Sequence, residues 1–435
     1  MESPGLTNSK DYEIKVLDLI NSGGQVVDVR KIFMELQLFQ DIYSSVMSGT
    51  IVIQDGHDIF SNFYFCGNEF IRISIDKPSL GKPIQKVFRI YKVGGRKPAS
   101  DSGQIYSLFF CSEELIFSNQ KRVSKSYKGL RTADIIRDIL IKELQVDPTR
   151  IGALERTSGV YDLVVPGYRP FEVVQWAASR SYDASGKYCY FFYEDRDGFQ
   201  FKSYNTMIKQ KTIKDLKYEI KRVDQIDPAL NKDSIDRVEI KHDFDILTTM
   251  ANGGYASKLL SVDIFNQSFK YDNYSIDVAE GQKNLINEFK ATNSLKNYDK
   301  IPITKAFDSY FLTNIAINDT SSEKSNDRDK WLMTRTLHMT AMHTFKLNIL
   351  IPGDILLKAG DMVKYEFPKF ESPDPSGKDP DEYRTGKYLV AAICHKFSGG
   401  DKGDFESIVE LVSDSVSKQI PSPKDGLDKV TRRFT

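Results

Sequence analysis

The sequence is poor in the features that mark several classes of protein. It has only four cysteines and two tryptophans in 435 residues, and its 60 basic and 60 acidic side chains cancel to a formal net charge of zero. No cysteine pair has C-x-x-C spacing, which argues against a zinc clip or a disulfide scaffold. The charge balance argues against a nucleic-acid coat or a polybasic membrane binder, since both need an excess of one sign.

Long apolar runs are missing as well. No stretch approaches the roughly 18 apolar residues of a membrane-spanning helix, so we expect no stable membrane insertion. The opening MESPGLTNSKDYE lacks the basic and apolar regions of a secretory signal. We therefore expect a protein made in the cytoplasm that stays soluble or joins an assembly. The cysteines are expected to be small buried side chains of a reducing compartment. They are Cys66, Cys111, Cys189 and Cys394.

The sequence does contain many aromatic and alternating apolar residues. Its 27 Phe and 22 Tyr favour β structure, and its length suggests about three domains. Residues 10–118 show period-2 alternation between turn signals, which predicts a first antiparallel β domain. The apolar faces of two of its strands are expected to hold Ile32, Met34, Leu36 and Leu38, and Ile71, Ile73 and Ile75.

Residues 119–211 change to a mixed pattern and predict a small α+β domain. Helical spacing covers 132–144, with Thr132 as its expected cap, and a second helix is expected to begin at Pro170. That helix would place Trp176 in the core. Asp197 and Gly198 stand between two aromatic runs, which predicts a hairpin turn there.

Strand patterns return at 212–265 and 340–415, which we assign together to a second β domain. Between them, residues 266–339 predict a polar insertion that holds one helix near residues 284–290 and a connecting helix over 331–342, with Met342 in the core. Residues 416–435 carry prolines and a glycine and predict a flexible tail.

We find no motif of a known catalytic machinery: no P-loop, no G-x-S-x-G elbow and no H-E-x-x-H. His338 and His343 are five residues apart, a spacing that does not let them share a metal easily. We therefore predict no catalytic, cofactor or metal site.

Two groups of carboxylates and one aromatic strand could still bear chemistry. The carboxylates are expected to be solvated loop charge, and the strand over 188–193 is expected to be buried rather than to stack on sugars or bases. The carboxylates are Glu113 and Glu114, and Glu194, Asp195 and Asp197.

Several strings, taken in order, resemble the baseplate hub protein of contractile-tailed, T-even-like phages. They are CGNEFIRISI at 66–75, LVVPGYRPFEVVQWAASRSYDASGKYCYFFYEDRDGFQFKSY at 163–204, FKLNILIPGDILLKAGDMVKYEF at 345–367, and the closing KYLVAAICHKFS and FESIVELVSD. The loop over 368–383 is longer than the family's pattern, and 266–330 matches it poorly.

The resemblance implies two tail-tube-like β-barrels per chain, so that three chains form a pseudo-hexameric ring. Such a homotrimer would join a three-fold central spike to the six-fold tail tube, among the other baseplate proteins, and leave a channel for the tape measure protein and for DNA in transit. It would lie in the virion baseplate and need no active site. Structural turns would use Gly67, Asn68, Asp197, Gly198, Gly353 and Gly360, with Asp354 and Asp361 as caps.

Two other functions remain open from the sequence. One is a tail-associated peptidoglycan hydrolase that uses a carboxylate cluster as its acid. The other is the hub of a pyocin-like or secretion-type contractile injection device, with the same fold in another setting.

Overall fold

A computed structural model describes most of the chain. The described residues are 12–76, 84–100, 103–183, 188–218, 234–263, 267–275, 285–290, 309–314, 328–367, 369, 380–399 and 404–419. Most of the loop at 368–383 and all of the tail after residue 419 lie outside them. None of the helices in these ranges is long and apolar enough to cross a membrane.

Strands dominate the described residues, which confirms the mainly β fold class. The strands are β1 (Glu13–Ile20), β2 (Val26–Asp28), β3 (Phe33–Asp41), β4 (Ser48–Asp55), β5 (Phe70–Asp76), β6 (Ile84–Ser100), β7 (Gly103–Cys111), β8 (Val123–Leu130), β9 (Ile151–Leu154), β10 (Tyr161–Tyr168), β11 (Tyr190–Asp195), β12 (Gly198–Ser203), β13 (Lys214–Tyr218), β14 (Ser234–Ile235), β15 (Arg237–His242), β16 (Ala256–Asp263), β17 (Ser268–Ser275), β18 (Phe289–Lys290), β19 (Ser309–Asn314), β20 (Phe345–Pro352), β21 (Met362–Glu366), β22 (Gly386–Ser398), β23 (Phe405–Ser413) and β24 (Ser415–Val416).

Helices lie mainly between the two β regions. They are α1 (Ile59–Phe63), α2 (Glu113–Gln120), α3 (Thr132–Asp138), α4 (Pro170–Ser179), α5 (Tyr204–Ile208), α6 (Ile246–Ala251) and α7 (Arg328–Met342), with a π-helical turn at Ile139–Glu143 and a 3₁₀ turn at Pro148–Arg150. The predicted helices at Pro170 and over 331–342 correspond to α4 and α7.

The first seven strands form a unit that we call barrel 1. They are ordered β3-β4-β7-β6-β5-β1, all antiparallel, and β2 pairs with β1 before leading through residues 29–32 into β3. Side chains of β1 and β3, at the two ends of this order, pack in one core. This core is aliphatic and aromatic because period-2 alternation turns one side chain in two inward.

One predicted face in barrel 1 is wrong. Leu36 and Leu38 are buried as expected, but Met34 is 44% exposed and Phe33 is buried instead. The register of β3 against β4 shifts between Phe33 and Glu35. This bulge inserts one residue and reverses the faces before it. The predicted Ile71, Ile73 and Ile75 are all buried.

Seven strands from the second half of the chain repeat the connection order and form barrel 2. Their order is β13-β21-β22-β23-β20-β15, and β14 pairs with β13 and continues through Asp236 into β15. Strands β13, β14, β15, β20, β21, β22 and β23 thus take the places of β1 to β7 in chain order. The one difference in direction is that β13 runs parallel to β14 and β21.

The repeat extends to single residues. Tyr91 is an extra residue of β6 against β7, and Ala391 is an extra residue of β22 against β23. Two residues further on, an aliphatic row crosses four paired strands in each barrel. In barrel 1 the row is Val93, Leu108, Ile51 and Leu36. In barrel 2 it is Ile393, Val409, Ile349 and Val238.

The α+β domain packs α3 and α4 on the β11–β12 hairpin, in a separate hydrophobic core. Thr132 does not cap α3, because Arg131 is the residue before its first turn and the Thr132 hydroxyl is buried between Thr157, at 2.9 Å, and Ser181, at 2.7 Å. The aromatic strand is buried from Tyr190 onward, as expected.

The insertion differs from the prediction in three places. β16 belongs to it rather than to the second β domain, since it pairs with β17 and β19. The described part of the expected helix near 284–290 is instead an irregular stretch that ends in β18. β18 pairs with β24, and Val416 is buried, so the ordered chain continues past residue 415.

Candidate functional site

A main-chain ladder joins the two barrels. β22 pairs along one edge with β21 and then, over residues 392–398, with residues 35–41 of β3. The Lys396 ammonium lies 3.2 Å from the Glu35 carboxylate across this ladder. Because backbone hydrogen bonds form it, the joint holds the barrels edge to edge in one continuous sheet.

The β11–β12 hairpin contacts both barrels. Glu194 and Asp195 are neighbours on β11 and both are buried, and successive side chains of a strand point to opposite faces. Glu194 meets Lys86 of barrel 1, and Asp195 meets Lys358 of barrel 2.

Glu194 lies at the centre of a buried polar network on the barrel 1 side. Its carboxylate accepts hydrogen bonds from the Met47 amide, at 3.0 Å, and from the Ser112 hydroxyl. The other carboxylate oxygen lies 3.0 Å from Arg150 and 3.3 Å from Lys86. A carboxylate with this set of donors and cations is a structural anchor, since its lone pairs are occupied.

The two predicted carboxylate clusters meet at Arg150. Its guanidinium also pairs with Glu114. Burial raises the pKa of Glu114, and Arg150 opposes that shift. The expectation of solvated loop charge is therefore wrong for Glu114, Glu194 and Asp195, which are all buried. Folding brings Glu114 and Glu194 onto one cation. Glu113 remains partly exposed and lies 3.2 Å from Arg89.

On the barrel 2 side, Lys358 bridges two carboxylates of the hairpin. Its ammonium lies 3.0 Å from Asp195 and 2.6 Å from Asp197. Burial raises the pKa of Asp197, but Lys358 and Arg196 outweigh it and leave the pKa below its usual value. Arg196 also donates to the Ile355 carbonyl at 2.8 Å. This network is more open, since the Asp197 side chain is 50% exposed.

The hairpin turn lies one residue earlier than predicted. Arg196 and Asp197 are its central residues, and Gly198 begins β12 with φ +126°. A Cβ at Gly198 would lie 2.1 Å from the Arg150 carbonyl oxygen. The glycine therefore allows the strand to approach the segment that carries Arg150.

Gly353 serves close packing rather than a tight turn. A Cβ there would lie 2.1 Å from the Phe405 ring, and its amide donates to the Phe405 carbonyl at 2.8 Å. Asp354 accepts a hydrogen bond from the Leu356 amide at 3.0 Å and lies 3.2 Å from Lys214. Asp354 thus caps the turn that follows β20.

Gly360 and Asp361 lie at the start of β21. Gly360 has φ +85°, and a Cβ there would lie 2.3 Å from the Tyr193 hydroxyl. Asp361 accepts a hydrogen bond from the Lys358 amide at 3.0 Å. Burial raises the pKa of Asp361 to about 6, although this bond and the Lys358 charge oppose the shift.

Gly67 and Asn68 lie at the corresponding turn of barrel 1, before β5. The Gly67 and Cys66 amides donate to the Glu69 carboxylate at 2.8 and 2.7 Å, and Asn68 accepts from Arg89. Burial raises the pKa of Glu69, but these backbone bonds and one from the Cys66 thiol leave it below its usual value.

Glu69 and Asp361 occupy equivalent positions. The Ile90 amide donates to the Glu69 carbonyl and the Val390 amide to the Asp361 carbonyl, both at 2.9 Å. Ile90 and Val390 each precede the extra residue of their strand. Each barrel therefore places a carboxylate just before equivalent strands, Glu69 before β5 and Asp361 before β21.

Two predicted core residues have different surroundings. Met342 is fully buried, whereas Trp176 lies at the edge of the α+β core and is only partly buried. The Arg180 guanidinium lies 4.2 Å from the Trp176 ring centroid. The helical period placed Trp176 near the apolar face, but Phe171 and Val174 are the residues that fill the core.

The remaining candidate metal-binding and redox residues lie apart. The His343 ring nitrogen lies 3.1 Å from the Tyr43 hydroxyl, and the His338 ring lies tilted against the Tyr204 ring with the centroids 5.7 Å apart. Within the described ranges, no group of three His, Cys, Asp or Glu side chains could hold a metal. The expectation of buried cysteines is wrong for Cys66, which is exposed.

Comparison with known proteins relates this fold to phage tail proteins. A tail protein from Neisseria meningitidis MC58 matches with a TM-score of 0.53 at 11% identity over 93% of this chain and 96% of that one. The 43 kDa tail protein of prophage MuSo2 from Shewanella oneidensis matches with a TM-score of 0.54 at 8% identity over 93% and 100%. No family model and no curated protein matches the sequence.

Sequence reasoning missed the cations that organise the site. Arg150 and Lys86 lie in segments with no motif, Lys358 lies in the 345–367 string but was given no role there, and each cation is far along the chain from its carboxylate partner. One sequence feature did indicate buried ion pairs: the carboxylates Glu194, Asp195 and Asp197 follow a run of aromatic residues. A charge in an apolar strand needs a partner of opposite charge.

Proposed function

We propose that this chain is a structural subunit of a phage tail, the baseplate hub, in which three copies form a ring of six barrels. The observation that carries the proposal is the internal repeat: two barrels of the same strand order, joined edge to edge by the β3–β22 ladder. The likeness of the fold to a tail protein and to a prophage tail protein supports the tail setting.

The ring explains why one chain would hold two barrels. Three copies present three-fold symmetry to a central spike and near six-fold symmetry to the tail tube, and they leave an axial channel for the tape measure protein and DNA. A symmetry match of this kind is achieved by packing alone. We also propose that the chain is not an enzyme, because Glu114, Glu194, Asp195 and Asp197 each pair with a cation that helps to hold the domains together.

The test is the oligomeric state and symmetry of the full chain. Native mass spectrometry at micromolar concentration, alone and after mixing with its spike protein, should give a trimer, and electron microscopy should show six lobes around an opening. A strictly monomeric protein in both conditions would overturn the proposal. Cell-wall lysis that disappears in Glu194→Gln or Asp197→Asn, with folding retained, would favour the hydrolase instead.

A further inference from the structure

The repeat leaves one strand edge in each barrel without its expected partner. In barrel 2, β22 pairs first with β21 and then with β3 along the same edge. In barrel 1, the equivalent β6 pairs with β5 over residues 84–89, and no ladder in the described part of the chain continues along that edge over 91–98. Likewise β15, the equivalent of β3, pairs only with β20 among the described strands.

Side chains at the internal joint are less exposed than the equivalent side chains at the two open edges. Leu38 of β3 is 5% exposed, whereas Ile240, its equivalent on β15, is 46% exposed. On the partner strand, Phe397 of β22 is fully buried, whereas Lys97 and Pro98 of β6 are exposed. Positions that are covered at the internal joint are thus uncovered at the two open edges.

From these edges we infer that neighbouring copies of this chain join by adding β15 of one copy to β6 of the next. The inference rests on the proposed ring and names its joint. The contact is head to tail, so it propagates around an axis, and a ring closes when the rotation per chain divides the circle. The internal β3–β22 ladder is the template for its direction and register.

The template predicts which side chains face each other. At the internal joint, Lys396 lies opposite Gln37. Leu36 and Val238 are equivalent members of the aliphatic rows. Gln37, the next residue of β3, is therefore equivalent to Glu239, the next residue of β15. Opposite charges directly across a ladder stabilise it. If the register is right, the residue of the neighbouring copy that lies opposite Glu239 should therefore be basic.

That residue is Lys97. It pairs with Ile105, three residues before Leu108 in β7, as Lys396 pairs with Glu406, three residues before Val409 in β23. Because β6 has an extra residue between Gly94 and Lys97 that β22 lacks, the equivalence is counted along β7 and not along β6. The register therefore places Lys97 of one copy opposite Glu239 of the next. Charged side chains also protect an open edge from wrong pairing before assembly.

Disulfide cross-linking tests this register directly. Directly opposed residues have Cα atoms about 4.5–5.5 Å apart, which suits a disulfide. In a Cys66→Ser background, the double variant Lys97→Cys with Glu239→Cys should give covalent dimers and trimers on a non-reducing gel. Each single variant, and the mismatched pair of Lys128→Cys with Glu239→Cys, should give none.

Charge reversal gives a second readout that needs no oxidation. Lys97→Glu or Glu239→Lys should each weaken trimer formation by about fivefold, the upper range for an exposed ion pair, and the double reversal should restore it. Glu239→Lys also removes an exposed pair with Lys241 of the same chain, so the melting temperature of the monomer should fall only slightly.

The outcomes separate this inference from the proposed function. Cross-linked trimers that need both cysteines support it. A trimer that never cross-links at this pair, and is indifferent to charge reversal, overturns the joint but leaves the ring standing. Cross-linked dimers that never reach trimers support the joint and overturn the ring, and monomers without cross-links overturn both.

Discussion

The two barrels share strand order and register, yet the α+β domain holds them by different means. On the barrel 1 side, the fully buried Glu194 collects two cations and two neutral donors. On the barrel 2 side, Lys358 lies between the buried Asp195 and the half-exposed Asp197. The two barrels thus share their backbone geometry, but the α+β domain contacts each of them through different side chains.

This difference indicates which contact is more costly to break. A buried charge left without its partner costs several kcal/mol, whereas an exposed ion pair contributes less than about 1 kcal/mol. The barrel 1 contact should therefore be the more rigid, and the barrel 2 contact the easier to open.

Removal of the Glu194 charge should have the largest effect. Glu194→Gln leaves Lys86 without the Glu194 carboxylate and leaves Arg150 with Glu114 as its remaining anion, and it should lower the free energy of unfolding by about 3–5 kcal/mol. Thermal or urea unfolding of the full chain measures it. Asp197→Asn is the matched control, with an expected loss below about 1 kcal/mol because its side chain is half exposed. Equal losses in the two variants would contradict the conclusion that the barrel 1 contact is the more costly to break.

The equivalent carboxylates Asp361 and Glu69 should respond to pH in opposite directions. The pKa of Asp361 is raised to about 6, so between about pH 4 and 6 the folded chain binds more protons there than the unfolded chain, and acidification stabilises this site. Asp361→Asn should therefore be more stable than the parent by about 3 kcal/mol at pH 7 and equal to it near pH 4.

Glu69 should behave in the opposite way because its pKa is lowered. Its charge stabilises the fold above the unfolded-state pKa, and this stability is lost as the pH falls through the folded value. Glu69→Gln should be less stable than the parent at pH 7, with the gap closing in acid. Urea unfolding of both variants across pH 3–7 checks the signs, and parallel curves would contradict them.

Lys358→Met tests the more open contact. The change removes the cation between Asp195 and Asp197, but the Asp195 carboxylate keeps hydrogen bonds from the Asp197 amide, at 2.8 Å, and from Gln200, at 3.2 Å. Because the fully buried Asp195 loses its cation, we expect a loss of about 3 kcal/mol, at the lower end of the range for Glu194→Gln. Limited proteolysis should show earlier cleavage near barrel 2, and a loss larger than that of Glu194→Gln would reverse our ranking.

The sequence predicted elements better than faces and contacts. Alternation and helical spacing are local, so the strands around Ile71 and the helix at Pro170 were correctly predicted. The bulge near Met34 depends on pairing with β4, and the exposure of Ile240 depends on what covers β15. The local sequence pattern predicts neither feature, because each depends on a strand that is distant along the chain.

The site was predicted even less completely. The sequence indicated the carboxylates as a group but assigned them to solvent, because Arg150 and Lys358 come from distant segments. The repeat itself was implied only by the resemblance to the hub family, since its residues differ almost everywhere. It becomes visible in strand order and register, which the backbone keeps when side chains diverge.

The smallest effect on stability is expected at Ile240, the exposed counterpart in barrel 2 of the buried Leu38. Ile240→Thr changes an exposed side chain and should alter the unfolding free energy of the monomer by less than about 0.5 kcal/mol. The equivalent change Leu38→Thr buries an added hydroxyl at the internal joint and should cost about 2 kcal/mol or more. Differential scanning calorimetry measures both. If Ile240→Thr destabilises the monomer as much as Leu38→Thr, then β15 is already covered within one chain and its edge is not free for a neighbour.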